Sequence, residues 1–249
     1  MAELIAGLRT ERIRENLQRV RAEIAQAGAR AGRWAPADPP GVPADGSGAP
    51  ADRPGALRDR AAAVEVLAAG KYVAVADVPK LAQAGVRVVG ENRAQDLLAK
   101  VAAHGDLVTW DFIGQLQSRK VREIVGHVRL IHSLASDSAL RELHRQREHA
   151  RPGLRVLVQV NVAREPGKAG VAPEQLDAFL ERCPLPVAGL MTMPPAAPEP
   201  EHSRRWFAAL RELAEARGLE HLSMGTTQDY VVAVEEGATI VRIGTRLYA

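Results

Sequence analysis

The sequence predicts an α/β fold, a single (β/α)8 TIM-like barrel with an extra N-terminal helix, and three observations lead there. Eight short β-like runs alternate with amphipathic helical patterns over about 190 residues, as parallel βαβ units do. Polar and glycine-rich residues follow the runs one after another, as they do where strands leave the functional face of a closed barrel. The turn after the first run, Ala69-Gly70-Lys71-Tyr72, lacks the Gly-rich fingerprint that an open doubly wound sheet carries there.

Taken in order, Leu4, Leu8, Ile13, Leu17, Val20 and Ile24 recur at spacings of three to five and put one apolar stripe on a long first helix. Residues 34–57 hold six prolines and four glycines and few aliphatic side chains, so they read as a flexible insertion within one domain spanning 1–249. The β-like runs are 64–68, 86–89, 109–113, 128–132, 156–162, 187–191, 221–224 and 239–243. Helical patterns fall between them at 91–104, 136–147, 173–183 and 202–217, with a short one at 229–236.

Composition narrows the function classes. Hydrophobic residues at 46% and charged residues at 25% are ordinary for a soluble globular chain. A net charge of +3 from 33 basic and 30 acidic residues makes no case for nucleic acid, and the arginine-rich segment 141–151 interleaves with Glu and His. Cys183 stands alone, which rules out an intramolecular disulfide and a thiolate cluster, and the seven histidines lack metal-ligand spacing. No apolar run reaches the ~18 residues of a membrane span, and the first 30 residues are not a signal pattern, so a cytoplasmic location is expected.

Only five of the 33 cations are lysines, and Lys71 ends the first apolar run. Where charge alone would serve, this chain uses Arg, so a lysine kept at a strand end reads either as a solvated cation capping the strand or as an amine that forms a Schiff base with an aldehyde. The other run ends supply Gly90-Glu91-Asn92, Gly114-Gln115, His132-Ser133, Asn161 and Thr192. The last two runs give Ser223-Met224-Gly225-Thr226-Thr227 and Arg242-Ile243-Gly244-Thr245, small residues and hydroxyls of the kind that cup a phosphate after strands seven and eight of a barrel. A strand-one lysine opposite a phosphate cup points to a phosphorylated aldehyde, and pyridoxal 5′-phosphate (PLP) answers that description. Ser118-Arg119-Lys120 is readable as a second phosphate contact or as a plain helix start.

Several stretches in order and spacing carry a resemblance: Gly90-Glu91-Asn92-Arg93-Ala94-Gln95, Phe112-Ile113-Gly114-Gln115-Leu116-Gln117-Ser118-Arg119-Lys120, Ile131-His132-Ser133, Val158-Gln159-Val160-Asn161, Lys168-Ala169-Gly170, Gly189-Leu190-Met191-Thr192, Leu222-Ser223-Met224-Gly225 and Val241-Arg242-Ile243-Gly244-Thr245. On them the chain resembles the pyridoxal-phosphate homeostasis proteins, which are similar to the N-terminal barrel of alanine racemases. The resemblance implies that Lys71 is the Schiff-base lysine, that Ser223, Gly244 and Thr245 hold the phosphate, that Gly225 is among the cofactor-binding residues, that Asn92 lies near the ring, and that Arg242 faces the pyridine nitrogen. Gly70 stands where many members have Ser or Thr, and Thr226-Thr227 where Met-Ser is more usual.

The resemblance further implies a protein that stores, carries or delivers PLP without an established turnover reaction. The expected partners are PLP and PLP-dependent apo-enzymes, with no nucleic acid or membrane, and the expected state is a monomer or weak dimer. The alternative is a PLP-dependent racemase or lyase acting on small amino acids. Alanine racemases take their second base, a tyrosine, from a separate C-terminal domain, whereas this sequence ends at Ala249, just after the eighth run.

Overall fold

A computed structural model describes residues 4–32 and 64–249. The predicted insertion at 34–57 lies outside the described residues.

The first helix, α1 (Thr10–Arg30), buries Ile13, Leu17, Val20, Ile24 and Ala27 along one face. Its one buried polar residue, Asn16, donates to the carbonyls of Leu247 at 3.1 Å and Ala249 at 2.8 Å. The elements that follow alternate without exception: β1 (Glu65–Ala69), α2 (Val78–Gln83), β2 (Val88–Glu91), α3 (Ala94–His104), β3 (Thr109–Phe112), α4 (Ser118–Ile124), β4 (Leu130–Leu134), α5 (Asp137–Gln146), β5 (Arg155–Gln159), α6 (Leu176–Glu181), β6 (Val187–Met191), α7 (Arg204–Glu215), β7 (His221–Thr226), α8 (Tyr230–Glu235), β8 (Ile240–Ile243) and α9 (Thr245–Tyr248). All neighbouring strands pair in parallel, and β1 pairs with β8, so the sheet is a closed eight-stranded barrel. α1 lies against α8 and α9, bracing the β1–β8 seam from outside.

Two apolar regions divide the work. The larger fills the space between strands and helices, with Trp110, Phe112, Phe207, Leu97 and Leu143 among its fully buried members. The smaller lies inside the barrel and consists of Leu67, Val88, Leu130, Leu157, Ala188, Met191 and Ile240, one inward side chain from most strands. The side chains of Asp111, His132, Ser223 and Arg242 are also fully buried, and hydrogen bonds join them to one another.

Strand ends deviate from the sequence reading in both directions. Observed β2, β4 and β7 run two residues past the predicted ends at 89, 132 and 224, taking in Glu91, Ser133 and Gly225. β5 stops at Gln159 rather than 162, and Val160 instead makes an isolated bridge to Val171. Among the described residues, no helix is long and apolar enough to cross a membrane.

Candidate functional site

Lys71 sits in a short 3₁₀ turn, Gly70–Tyr72, directly after β1. Its side chain is half-buried, and Nζ lies 4.8 Å from the centre of the Tyr72 ring. The other four lysines are each paired with an acid: Lys80 with Asp77 at 2.8 Å, Lys120 with Glu123 at 3.0 Å, Lys168 with Glu165 at 2.5 Å, and Lys100 with Glu91. Lys71 alone has no hydrogen bond or ion pair among the described residues. An amine without an anion beside it is free to act as a ligand.

The turn carrying Lys71 is held from behind. Lys100 Nζ donates to the Gly70 carbonyl at 2.8 Å and to Glu91, and both side chains are almost wholly buried, 4% and 0% exposed. One residue earlier, the buried Tyr248 hydroxyl donates to the Ala69 carbonyl at 3.1 Å. The two carbonyls preceding Lys71 are thus fixed by groups from α3 and α9. Burial pushes the Glu91 carboxyl above its ordinary value, against the pull of Lys100, and burial also raises Tyr248. Gly70 has a steric reason to be glycine, because a Cβ there would run into the Glu91 carboxylate and approach Val89 Cγ1 at 2.9 Å.

On the neighbouring strand ends, the loops after β7 and β8 are tied together, with Gly244 N–H donating to Thr227 Oγ1 at 3.0 Å. Thr226 N–H donates to Asp229 at 2.7 Å, which fixes the first turn after β7. Gly225 has φ +87°, and a Cβ would lie 2.6 Å from that of Ala233, so this tight turn excludes a side chain on both counts. A Cβ on Gly244 would meet the Tyr72 ring at 2.9 Å, which puts the loop after β8 against the ring that Lys71 overlies. Thr245 opens α9, whose first N–H groups have no partner within the helix.

Inside the barrel, Arg242 is held at four points. Nη1 donates to the Ser223 carbonyl at 2.8 Å and to Ser223 Oγ at 2.6 Å, and Nη2 to the Thr192 carbonyl at 3.0 Å and to Met193 Sδ at 2.8 Å. Burial pulls its pKa down to about 10, against the charge of Asp229. The guanidinium stays charged at neutral pH. The obvious surface acids are engaged elsewhere: Glu235 binds Arg30 and Arg204, and Glu236 binds Arg204 and Arg211.

From Ser223 a chain of bonds runs across the barrel. His132 Nδ1 lies 2.9 Å from Ser223 Oγ, and Nε2 lies 3.2 Å from Asp111. Arg129 binds Asp111 at 2.6 Å and Glu65 at 2.7 Å, closing the chain. Burial pushes the His132 pKa down despite Asp111, so the ring is neutral. Burial would raise Asp111, but the bond from His132 and the Arg129 guanidinium more than offset this and hold it below the ordinary value, so it is ionised. A carboxylate only accepts, which fixes the tautomer: Nε2–H donates to Asp111, and Nδ1 accepts from the Ser223 hydroxyl, whose oxygen accepts from Arg242. From Arg242 through Ser223 and His132, every donor points toward the Asp111 anion.

A pH prediction follows from His132. Its folded pKa is depressed, so its contribution to stability is present above the unfolded value of 6.5 and is lost as pH falls below it. In denaturant midpoints measured from pH 7.5 to 5, wild type is expected to lose stability more steeply than His132→Gln, by up to about one proton's slope, ~1.4 kcal/mol per pH unit. Parallel profiles would contradict a buried neutral ring.

The residues singled out in the sequence therefore lie as follows. Lys71, Gly225, Gly244 and Thr245 occupy adjoining strand ends, Arg242 and Ser223 lie buried inside the barrel, and Asn92 is exposed just past β2. The Ser223 hydroxyl is committed to His132 and Arg242. Sequence reasoning left out Asp111 and Lys100, and named Thr227 only within the phosphate-cup run. The signal for Asp111 was a lone acid within Thr109-Trp110-Asp111-Phe112, and for Lys100 the scarcity of lysine itself.

Residues 56–249 match the family model described as "Alanine racemase, N-terminal domain". The chain is 43% identical over 195 residues to the pyridoxal phosphate homeostasis protein of Aquifex aeolicus, covering 74% of this chain and 86% of the relative. It is 38% identical over 243 residues to that of Pseudomonas aeruginosa, covering 95% and 94%. Among solved structures, PipY of Synechococcus elongatus with PLP bound superposes with a TM-score of 0.66 at 33% identity, covering 75% of this chain and 92% of PipY. With the closed barrel already in hand, these likenesses mean that the chain belongs to the pyridoxal phosphate homeostasis protein family, whose barrel is that of the alanine racemase N-terminal domain.

Proposed function

We propose that this protein binds PLP as a Schiff base on Lys71 and serves intracellular PLP homeostasis by storing, carrying or delivering the cofactor. The observation that carries the proposal is the unpaired Lys71 amine at the strand-end rim, in a chain whose other lysines all have acid partners. The naming of the relatives and the PLP held by PipY support it.

The residues fit the cofactor. Gly225 and Gly244 leave no side chain between the backbone and a phosphate at the β7 and β8 ends, and Thr226, Thr227 and Thr245 add hydroxyls. Thr227, already hydrogen-bonded to Gly244, is a better phosphate-side hydroxyl than Ser223, which serves Arg242 instead. Bound there, PLP supplies an aldehyde for the amine and a ring able to withdraw electrons. Lys71 and the phosphate cup then anchor two separate ends of one ligand, which fixes its orientation.

Arg242 is the group that sets what the site does with the cofactor. Held by Ser223 and Thr192, it presents a charged donor that opposes protonation of a ring nitrogen placed against it. That favours holding the cofactor over carbanion chemistry, in keeping with a cytoplasmic carrier whose recipients are apo-enzymes. Asn92, exposed just past β2, is left to contact the ring edge.

An absorbance spectrum with added PLP tests the reading. Wild type is expected to turn yellow, and Lys71→Ala to show only the spectrum of free PLP. A band of equal strength in both proteins, or in neither, would remove Lys71 from the account. Exchange of an amino acid's α-proton into solvent by the loaded protein would instead favour a racemase or lyase.

A further inference from the structure

Where α4 and α5 lie side by side on the outer wall of the barrel, four arginines meet. Arg119 and Arg122 from α4 and Arg141 and Arg145 from α5 line an open cleft of about 390 Å³. One acid, Glu142, shares it, so four cations stand against a single anion. Both Glu142 oxygens are engaged on their own helix: Oε1 accepts from Gln146 at 3.0 Å and Oε2 from Arg145 at 3.0 Å. Arg119 donates Nε to the neutral Gln117 side chain at 3.0 Å. Arg122 and Arg141 have no hydrogen bond or ion pair among the described residues.

Several surface arginines elsewhere are matched to acids. Arg204 contacts Glu201, Glu235 and Glu236, Arg217 holds both oxygens of Asp177, and Arg182 pairs with Asp137. Of the four cleft arginines, only Arg145 has an acid partner among the described residues. Arg141 and Arg145 are one helical turn apart, as are Arg119 and Arg122, an arrangement of like charges that weakens each helix. Packing α4 on α5 then sets the two pairs face to face, and Glu142, already bonded to Arg145, is the one acid among the described lining residues to offset them.

The chemistry that relieves it is a compact polyanion. Planar guanidinium forks match phosphate oxygens two at a time, and the hydroxyls of Ser118 and Ser138, also on the cleft wall, add neutral donors. The volume falls within the range of small-molecule sites, which favours a metabolite-sized ligand over a macromolecular face. None of the lining residues belongs to the strand-end rim around Lys71.

We propose that the α4–α5 cleft is a second anion site, separate from the Lys71 site, that takes a small phosphorylated molecule with two or more negative charges.

Calorimetric titration of the full chain with inorganic pyrophosphate tests this, with and without prior loading of PLP. The expected result is one pyrophosphate per chain, bound equally well by the PLP-loaded protein and more weakly as salt rises. Arg122→Gln/Arg141→Gln is expected to weaken binding at least tenfold, whereas Arg122→Lys/Arg141→Lys retains more of it. Both pairs of residues are exposed, and circular dichroism checks that the variants keep the fold. Binding that PLP competes away would move the anion into the cofactor cup and overturn the proposal. So would a Gln pair that binds like wild type, or a chain that binds polyglutamate but not pyrophosphate. Failure of PLP to load would bear on Lys71 alone and leave this result to be read on the unloaded chain.

Discussion

Lys100→Met is expected to lower stability at neutral pH by about 3–5 kcal/mol, because it leaves the Glu91 carboxylate buried without its counter-charge. For a chain of this size that is on the order of a 10 °C fall in Tm. The Gly70 carbonyl loses its donor as well, which loosens the turn that presents Lys71, so PLP loading weakens alongside stability. The deficit has a pH signature. Glu91 already sits above its ordinary value through burial, and removing Lys100 takes away the pull that opposes the rise. The native state then binds a proton more readily than the unfolded chain, so the deficit shrinks as pH falls through the raised pKa. Lys100→Met/Glu91→Leu is expected to recover most of the lost stability. If urea midpoints put the double variant as low as the single one, the buried pair is not the cause.

Asp111→Leu is the second large effect, again about 3–5 kcal/mol at neutral pH. Asp111 is fully buried and is, among the described residues, the only anion in contact with His132, and it shares Arg129 with Glu65. Without it the His132 Nε2–H has no acceptor, and the orientation of the chain through Ser223 to Arg242 is lost. Asp111 has a depressed pKa, so its contribution is present above the unfolded value of 3.8 and disappears as pH falls through the folded one. The gap between wild type and variant is therefore expected to close toward strongly acid pH. A variant as stable as wild type at pH 7 would mean that the polar chain is not what holds the barrel interior.

The fold was legible because its signals are local. The alternation of runs and amphipathic patterns gave the order of strands and helices, and the stripe from Ile13 to Ile24 gave α1 its buried face. The ends of β2 and β4 were misjudged for a physical reason. Apolar periodicity stops where the interior turns polar, so Glu91 and Ser133 looked like the start of loops although they are buried within strands. Lys71 stood out through its place at a run end. The group that holds its turn did not, since Lys100 reads as ordinary helix surface until the packing of α3 brings it under Gly70. The bonds of Ser223 to His132 and Arg242 were hidden in the same way, since only the fold brings the three residues together.

The central claim rests on one amine, and reduction with borohydride in the presence of PLP tests it directly. Peptide mapping by mass spectrometry is expected to find the pyridoxyl label on the peptide containing Lys71 and on no other lysine. A label on Lys100 or Lys168, or no label at all, would contradict the account.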